Sequence, residues 1–120
     1  MAKTILVVDD DAAIRSCLSD ILTEHGGFTV HAACDGVDAL RLIDGGLAFD
    51  VLLTDRRMPN MGGEELVAAV RSRGCRQFVI LMSGDVRMPA GIPGVDRVEP
   101  KPLSIFGLID VINAAGPHPA

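Results

Sequence analysis

The chain has 120 residues, 48% of them hydrophobic and 22% charged, which suffices for one domain with a buried core and is too short for two domains of ordinary size. Eleven basic residues against sixteen acidic ones give a formal net charge of -5, which disfavours direct nucleic-acid binding because such binders carry a basic stripe. The apolar run at residues 5–8 is too short for a membrane-spanning helix or a signal peptide, so we expect no membrane insertion and a cytoplasmic location.

The first half of the chain alternates short apolar runs with amphipathic segments. Residues 4–8 form a β-branched-rich run without polar alternation, which is typical of a parallel strand covered on both faces. Asp11 then lies where it can cap a helix. The inward face of that helix is predicted to carry Ile14, Cys17, Leu18, Ile21 and Leu22. Residues 28–32 predict a second, weaker strand, and Asp35 caps a helix expected to bury Val37, Leu40 and Ile43.

The second half repeats the alternation. Residues 51–54 predict a third strand that ends at Asp55, and a helix holding Leu66, Val67 and Val70 follows. Residues 78–82 predict a fourth strand that ends at Ser83. Prolines and glycines between residues 85 and 95 predict a fourth helix that is short or irregular. After a short fifth strand at residues 97–99, Ser104 can cap a helix with Ile105, Leu108, Ile109 and Ile112 on one face.

Strands that alternate with helices in this way predict an α/β fold, a doubly wound parallel sheet of five strands with helices on both faces. No linker or repeat interrupts residues 1–120, so we expect one domain with a core at about residues 3–115 and a short tail at residues 116–120. Ligands of such sheets bind beyond the carboxyl ends of the strands, where the strand order reverses. The residues that directly follow each strand are therefore the candidates for function.

Charged and polar side chains stand at four of these strand ends. Asp9 and Asp10 follow the first strand, Asp55 the third, Ser83 the fourth and Lys101 the fifth. If the first and third strands are neighbours, three carboxylates converge, and each pair about 4 Å apart costs roughly 4 kcal/mol at an effective dielectric of about 20. A lysine offsets part of this repulsion. A hard cation such as Mg²⁺ offsets more, because it prefers oxygen ligands and binds one or two carboxylates together with a phosphate.

Four motifs together resemble the receiver domain of two-component response regulators: ILVVDD at residues 5–10, DRRMP at residues 55–59, Ser83, and Lys101 with Pro102. The resemblance implies a flavodoxin-like sheet with the strand order 2-1-3-4-5. It also implies a domain that takes a phosphoryl group from a histidine kinase or phosphotransfer protein and signals to a downstream protein that the sequence does not identify. It allows a homodimer formed on phosphorylation, and it implies catalysis only of the domain's own phosphorylation and dephosphorylation.

The resemblance assigns the acceptor and the metal ligands residue by residue. It makes Asp55 the nucleophile that forms an aspartyl phosphate. The carboxylates of Asp10 and Asp55 would ligate Mg²⁺ directly, whereas Asp9 would act mainly through water. Arg57 would contribute its backbone carbonyl rather than its side chain.

The resemblance also assigns the groups that contact the phosphoryl oxygens and the switch. Ser83 would donate its hydroxyl to one oxygen and Lys101 its ammonium to another, which neutralises the charge of the transferred group. Movement of Ser83 would then draw the loop after the fourth strand with it and repack the surface formed by the fourth helix, the fifth strand and the fifth helix. Receivers usually carry an aromatic residue three positions before the lysine, and here that residue is Val98; Pro100 directly before Lys101 is a further departure.

Two other classes of protein compete with this interpretation. A haloacid-dehalogenase-type phosphohydrolase would use Asp9 and Asp11 as its Asp-x-Asp motif, but Ala13 does not match that family and the segment around Asp55 would be unexplained. A phosphorylation-independent scaffold would keep the fold without the chemistry, against which stands the complete set of strand-end residues.

The three cysteines complete the sequence-based expectations. They are odd in number, widely spaced and without metal-ligand spacing, so we expect reduced, small packing residues at Cys17, Cys34 and Cys75.

Overall fold

Five short strands form one parallel sheet in the computed structural model, which describes residues 2–84 and 92–119. In chain order they are β1 (Thr4–Val8), β2 (Thr29–Ala33), β3 (Val51–Asp55), β4 (Phe78–Ser83) and β5 (Arg97–Pro100). They lie in the order β2-β1-β3-β4-β5, and every neighbouring pair is parallel. The predicted flavodoxin-like order is confirmed, and each predicted strand agrees with the observed one to within one residue at either end.

The helices of the described residues cover both faces of the sheet. They are α1 (Ala12–Glu24), α2 (Gly36–Asp44), α3 (Gly63–Ser72) and α4 (Ile105–Ala114). Helices α1 and α4 pack on one face, and α2 and α3 pack on the other. The predicted short helix between β4 and β5 falls mainly on residues 85–91, which lie outside the described residues; residues 92–95 make a turn. None of the helices in the described parts is long and apolar enough to cross a membrane.

The core consists of two apolar layers, one on each face of the sheet. Successive residues of a strand point to opposite faces, so β1, β3 and β4 each supply side chains to both layers. Toward α1 and α4 the buried residues include Val7, Leu53, Met82, Leu18, Leu22, Leu108 and Ile112. Toward α2 and α3 they include Val8, Leu52, Val79, Ala39, Leu66, Val67 and Val70. The buried faces predicted for α3 and for Leu108 and Ile112 of α4 are confirmed.

Four residues that were expected to be buried are exposed. Val37 is 46% exposed and Ile14 36%, and Cys17 is also exposed, so the predicted inward faces of α1 and α2 are too wide. The reason is geometric: Leu18 and Leu22, one turn apart, form the buried stripe of α1. Ile14 and Cys17 lie beside this stripe, where they line an open pocket together with Leu103 and Ile105. Cys34 is exposed as well, which corrects the packing role expected for it, whereas Cys75 packs partly buried beneath α3.

The predicted caps differ in how they are made. Asp11 accepts hydrogen bonds from the backbone N–H groups of Ala13 and Ile14, at 2.9 and 3.2 Å, and Asp35 accepts one from Asp38 at 2.8 Å, as predicted. Ser104 occupies the cap position of α4, but its side chain makes no capping hydrogen bond. Its hydroxyl lies over Gly107 instead, and the first turn begins with the bond from the Leu108 N–H to the Ser104 carbonyl.

Candidate functional site

Three carboxylates meet where the strand order reverses. Strands β1 and β3 are neighbours in parallel register, with Val8 opposite Thr54, so the residues that follow them leave the sheet side by side. Asp9, Asp10 and Asp55 each offer an oxygen atom, and these atoms all lie within 4.8 Å of one another. The convergence predicted from the strand ends is therefore present in the structure.

Asp9 is the buried member of this group, with 1% of its surface exposed. Its Oδ1 accepts a hydrogen bond from the Asp11 N–H at 2.9 Å, whereas its Oδ2 is buried and has no hydrogen-bond partner among the described residues. Burial raises the pKa of the Asp9 carboxyl above its ordinary value of 3.8; the Asp11 hydrogen bond opposes this, and the Asp55 carboxylate raises the pKa further. A cation bound near this buried oxygen would be stabilised strongly, because the oxygen accepts no hydrogen bond from the described residues that competes with it.

Lys101 places a positive charge beside this cluster. Its Nζ lies 3.2 Å from Asp55 Oδ1 and 3.8 Å from Asp9 Oδ2. The end of the sheet positions it, because the Lys101 N–H donates to the Ser83 carbonyl at 2.9 Å, directly beyond the pairing of Ser83 with Pro100. The predicted lysine after the fifth strand thus lies at the acidic site although it comes 46 positions after Asp55 in the chain.

Asp55 lies on the floor of an open pocket of about 430 Å³. Its side chain is 13% exposed, and its Oδ1 accepts a hydrogen bond from the Arg56 N–H at 2.8 Å. The other residues that line the pocket are Arg56, Arg57, Ser83, Gly84 and Lys101. The pocket therefore gathers the predicted acceptor, hydroxyl and lysine, with Arg57 at its wall. Asp9 is far less accessible than Asp55, which makes it the poorer nucleophile and argues against the dehalogenase-type alternative.

The segment between β3 and α3, residues 56–62, is called the acceptor loop here. Its base is held to the sheet by the Arg56 N–H, which donates to the Met82 carbonyl at 3.0 Å, and to α3 by the Gly63 N–H, which donates to the Arg56 carbonyl at 2.8 Å. The Arg56 side chain forms an ion pair with Glu64 on the first turn of α3.

Arg15 supports the site and was not among the residues predicted from the sequence. The Arg15 guanidinium, partly buried on α1, donates from Nη1 to the backbone carbonyl of Asp9 at 2.8 Å. This bond joins the first turns of α1 to the end of β1. The available signal was its spacing, since Arg15 lies four residues after the helix cap Asp11 and therefore on the same side of the helix.

The donor set fits a hard divalent cation. Three carboxylates present oxygen ligands within the span of one ion, and one of these oxygens is buried and accepts no hydrogen bond from the described residues. Mg²⁺ favours such ligands and leaves room for water and a phosphate. The cluster contains no sulfur or imidazole group that would favour a softer metal.

We expect Asp9→Asn to stabilise the metal-free protein, by an amount that grows with pH. Because the folded-state pKa of Asp9 is raised, the folded protein holds its proton more tightly than the unfolded chain. The wild type therefore loses stability as the pH rises from 3.8 through the folded-state pKa, and the variant lacks this loss. Urea denaturation in EDTA across this range measures the difference.

Asp20→Asn is the control for this experiment, because it removes one negative charge from an exposed position on α1. A difference between Asp9→Asn and wild type that stays constant with pH, or that matches the Asp20→Asn trend, would contradict the prediction.

A family model and several known proteins match this chain. The model described as the response regulator receiver domain matches residues 5–99. Regulator of RpoS from Escherichia coli K12 is 40% identical over 88 residues, covering 73% of this chain and 26% of that protein. Response regulator MprA from Mycobacterium ulcerans is 34% identical over 118 residues, covering 95% of this chain and 50% of that protein. The chain thus spans about a quarter to a half of the length of these relatives.

Solved structures of response regulator proteins have a fold similar to that of this chain. The receiver domain of a Francisella response regulator has a TM-score of 0.83 with 31% identity, and the match covers 92% of this chain and 93% of that one. The chemotaxis protein CheY4 of Vibrio cholerae has a TM-score of 0.82 with 27% identity, over 94% of this chain and 98% of that one.

Proposed function

The chain belongs to the response regulator receiver domain family of two-component signalling, and on that premise we propose that Asp55 accepts a phosphoryl group from a phosphohistidine. The donor is a histidine kinase or a phosphotransfer protein. The observation that carries the proposal is the placement of Asp55 on the floor of an open pocket, with Lys101 Nζ at 3.2 Å and two further carboxylates beside it.

The chemical step is a displacement at phosphorus. An Asp55 carboxylate oxygen forms the new bond to phosphorus, the bond from phosphorus to the imidazole nitrogen breaks, and the electron pair stays on that nitrogen, which takes up a proton. The protein contributes position and charge, since phosphoryl transfer depends on in-line alignment and on neutralising the equatorial oxygens.

The metal ligands follow from the cluster. Asp10, Asp55 and the backbone carbonyl of Arg57 are proposed to hold Mg²⁺, with Asp9 acting mainly through water. When bound, Mg²⁺ supplies positive charge that offsets both the carboxylates and the phosphoryl oxygens. The Oδ2 of Asp9, which accepts no hydrogen bond from the described residues, and the three converging oxygens support this assignment.

Ser83 and Lys101 are proposed to bind the transferred group. Lys101 releases part of its interaction with Asp55 as that carboxylate becomes an acyl phosphate, and its ammonium then binds a phosphoryl oxygen. The Ser83 hydroxyl, at the end of β4 in the pocket wall, donates to another. This charge-driven rearrangement at the end of β4 is the proposed switch to a downstream protein, and it operates with Val98, 38% exposed on β5, in place of an aromatic residue.

The direct test is intact mass after incubation with acetyl phosphate. We expect a gain of one phosphoryl group with Mg²⁺ and no gain in EDTA, and hydroxylamine should remove the group because it cleaves acyl phosphates. Mass spectrometry is used because the chain has no Trp or Tyr whose intrinsic fluorescence could report phosphorylation. Asp10→Asn is the variant that separates metal dependence from acceptor chemistry, and we expect it to need more Mg²⁺ for the same gain.

A short-lived acyl phosphate would escape this measurement, so beryllofluoride binding is measured in parallel by NMR chemical shifts. Mg²⁺-dependent shifts that include Ser83 and Lys101 support the proposal. The absence of both the mass gain and beryllofluoride binding would overturn it in favour of a phosphorylation-independent scaffold.

A further inference from the structure

The tip of the acceptor loop is bonded to the start of α2. Asn60 Nδ2 donates to Asp35 Oδ2 at 2.9 Å, while the other oxygen of the same carboxylate caps α2 by accepting the Asp38 N–H at 2.8 Å. Asp35 follows β2, whereas the loop follows β3, and β1 lies between these two strands in the sheet. The contact therefore crosses the end of β1, where Asp9 and Asp10 lie.

An apolar contact reinforces this hydrogen bond one residue further along. The Met61 side chain lies so close to Gly36 that a Cβ at Gly36 would be 2.7 to 2.9 Å from its atoms. Met61 also packs against the core layer beneath α2 and α3. Two consecutive residues of the loop thus hold the first turn of α2, one by a polar contact and one by an apolar contact.

The backbone at Asn60 suits this role. Its φ is 68°, in the left-handed region, which a short polar side chain such as asparagine tolerates better than most. The loop turns sharply here, since the Met61 N–H donates to the Pro59 carbonyl at 2.7 Å. The turn directs the Asn60 amide to Asp35 across the site.

The acceptor loop contains Arg57, whose backbone carbonyl is one of the proposed metal ligands. Arg57 lies between the base of the loop, which is held at Arg56 and Gly63, and its tip, which is held at Asn60 and Met61. A loop fastened at both ends has few arrangements left for the residues between them. The bond at the tip therefore limits where the Arg57 carbonyl lies relative to Asp10 and Asp55.

We propose that Asn60 and Asp35 are positioning residues, which hold the acceptor loop so that the Arg57 carbonyl and the Asp55 carboxylate face the same cation. The inference rests on the proposed function, because it concerns the same metal site. Neither residue touches the reacting atoms. The coupling is reciprocal, so Mg²⁺ binding should in turn protect the first turn of α2 from opening.

The test compares Mg²⁺ affinities by calorimetry in a series of variants. Asn60→Gly removes the amide and keeps the left-handed backbone accessible, and we expect its Kd for Mg²⁺ to rise about threefold to tenfold, the range for one lost hydrogen bond. Asn60→Asp places two carboxylates against each other and should weaken binding at least as much. The exchange Asp35→Asn with Asn60→Asp restores a donor opposite an acceptor, and its Kd should return to within about twofold of the wild-type value.

A second readout uses the metal-free protein. Amide hydrogen exchange of the loop should be faster in Asn60→Gly than in wild type, and Mg²⁺ should slow exchange at Asp38 in the wild type more than in the variant. Arg73→Gln is the matched control. The ion pair of Arg73 with Asp44 joins the C-terminal ends of α2 and α3, which lie away from the acceptor loop. The Mg²⁺ affinity of this variant should equal that of the wild type.

Two results would overturn the inference. One is an Asn60→Gly protein that loses stability to urea but keeps its Mg²⁺ Kd within twofold of wild type, which would make the bond merely structural. The other is an exchange variant that binds Mg²⁺ as weakly as Asn60→Asp. Failure of the wild type itself to bind Mg²⁺ or to gain a phosphoryl group would instead overturn the proposed function, so the two failures are distinguishable.

Discussion

Asp55→Asn is expected to abolish the Mg²⁺-dependent mass gain from acetyl phosphate. An amide oxygen is a poor nucleophile, and the substitution leaves the size of the side chain almost unchanged, so the pocket and the fold should persist. Asp55 also lies 3.2 Å from Lys101 Nζ, closer than Asp9, and the variant therefore loses one charge of the cluster that the lysine partly neutralises. Intact mass spectrometry of wild type and variant, side by side, measures the effect.

The matched control is Asp50→Asn. Asp50 directly precedes the first residue of β3, at the end of the strand opposite to Asp55. Asp50 accepts the Thr4 N–H through Oδ2 at 2.8 Å, a role that an asparagine oxygen can take over, and it lies far from the pocket. We expect Asp50→Asn to gain a phosphoryl group like the wild type. A modification that persists in Asp55→Asn would contradict the prediction, and its loss in Asp9→Asn alone would favour the dehalogenase-type alternative.

Gly63→Ala is expected to destabilise the fold and to impair phosphorylation. A Cβ at Gly63 would lie 2.3 Å from the Asp55 carbonyl oxygen, 2.8 Å from the Leu81 side chain and 3.0 Å from the Arg56 Cα. Two of these three neighbours are backbone atoms, which cannot turn aside as a side chain does. Inserting a methyl group into a packed interior typically costs about 1–3 kcal/mol, and we expect the upper part of this range.

Gly36→Ala provides the comparison, because both glycines are the first residue of a helix. At Gly36 the inserted Cβ would meet only the flexible Met61 side chain among the nearest atoms, so we expect a smaller loss of stability. Urea denaturation gives both free energies of unfolding, and intact mass gives the extent of phosphorylation. Equal losses for the two variants would contradict the argument that the backbone at Asp55 makes Gly63 necessary.

Much of the site could be predicted because the residues that follow the strands of a parallel sheet all lie at the same edge of that sheet. Strands with no polar alternation can be recognised locally, and in a parallel sheet their carboxyl ends meet at one edge. Asp9, Asp55 and Lys101 could therefore be placed together from sequence, although the order of the strands came from the resemblance and not from the pattern of hydrophobic residues.

Contacts between loops could not be predicted in this way, because no sequence pattern marks the residues that form them. The bond between Asn60 and Asp35 joins residues 25 apart, and the two segments that hold them are not neighbours in the sheet. The Asp96 carboxylate likewise binds Arg71, the Val79 N–H and His118, and these three come from a helix, a strand and the tail. Such side chains have no fixed spacing in sequence, so periodicity does not reveal them.

The sequence by itself determined the five strands, the helix caps at Asp11 and Asp35, and the acidic residues that leave the sheet at its switch point. These features depend on local periodicity and on short-range hydrogen bonds, which a few neighbouring residues specify. Only the tertiary structure decided that Asp9 is buried with an oxygen that accepts no hydrogen bond from the described residues, that Cys17 and Val37 are exposed, and that Asn60 bonds to Asp35. Burial and long-range bonding depend on which distant segments cover a residue, and that is a property of the whole packed chain.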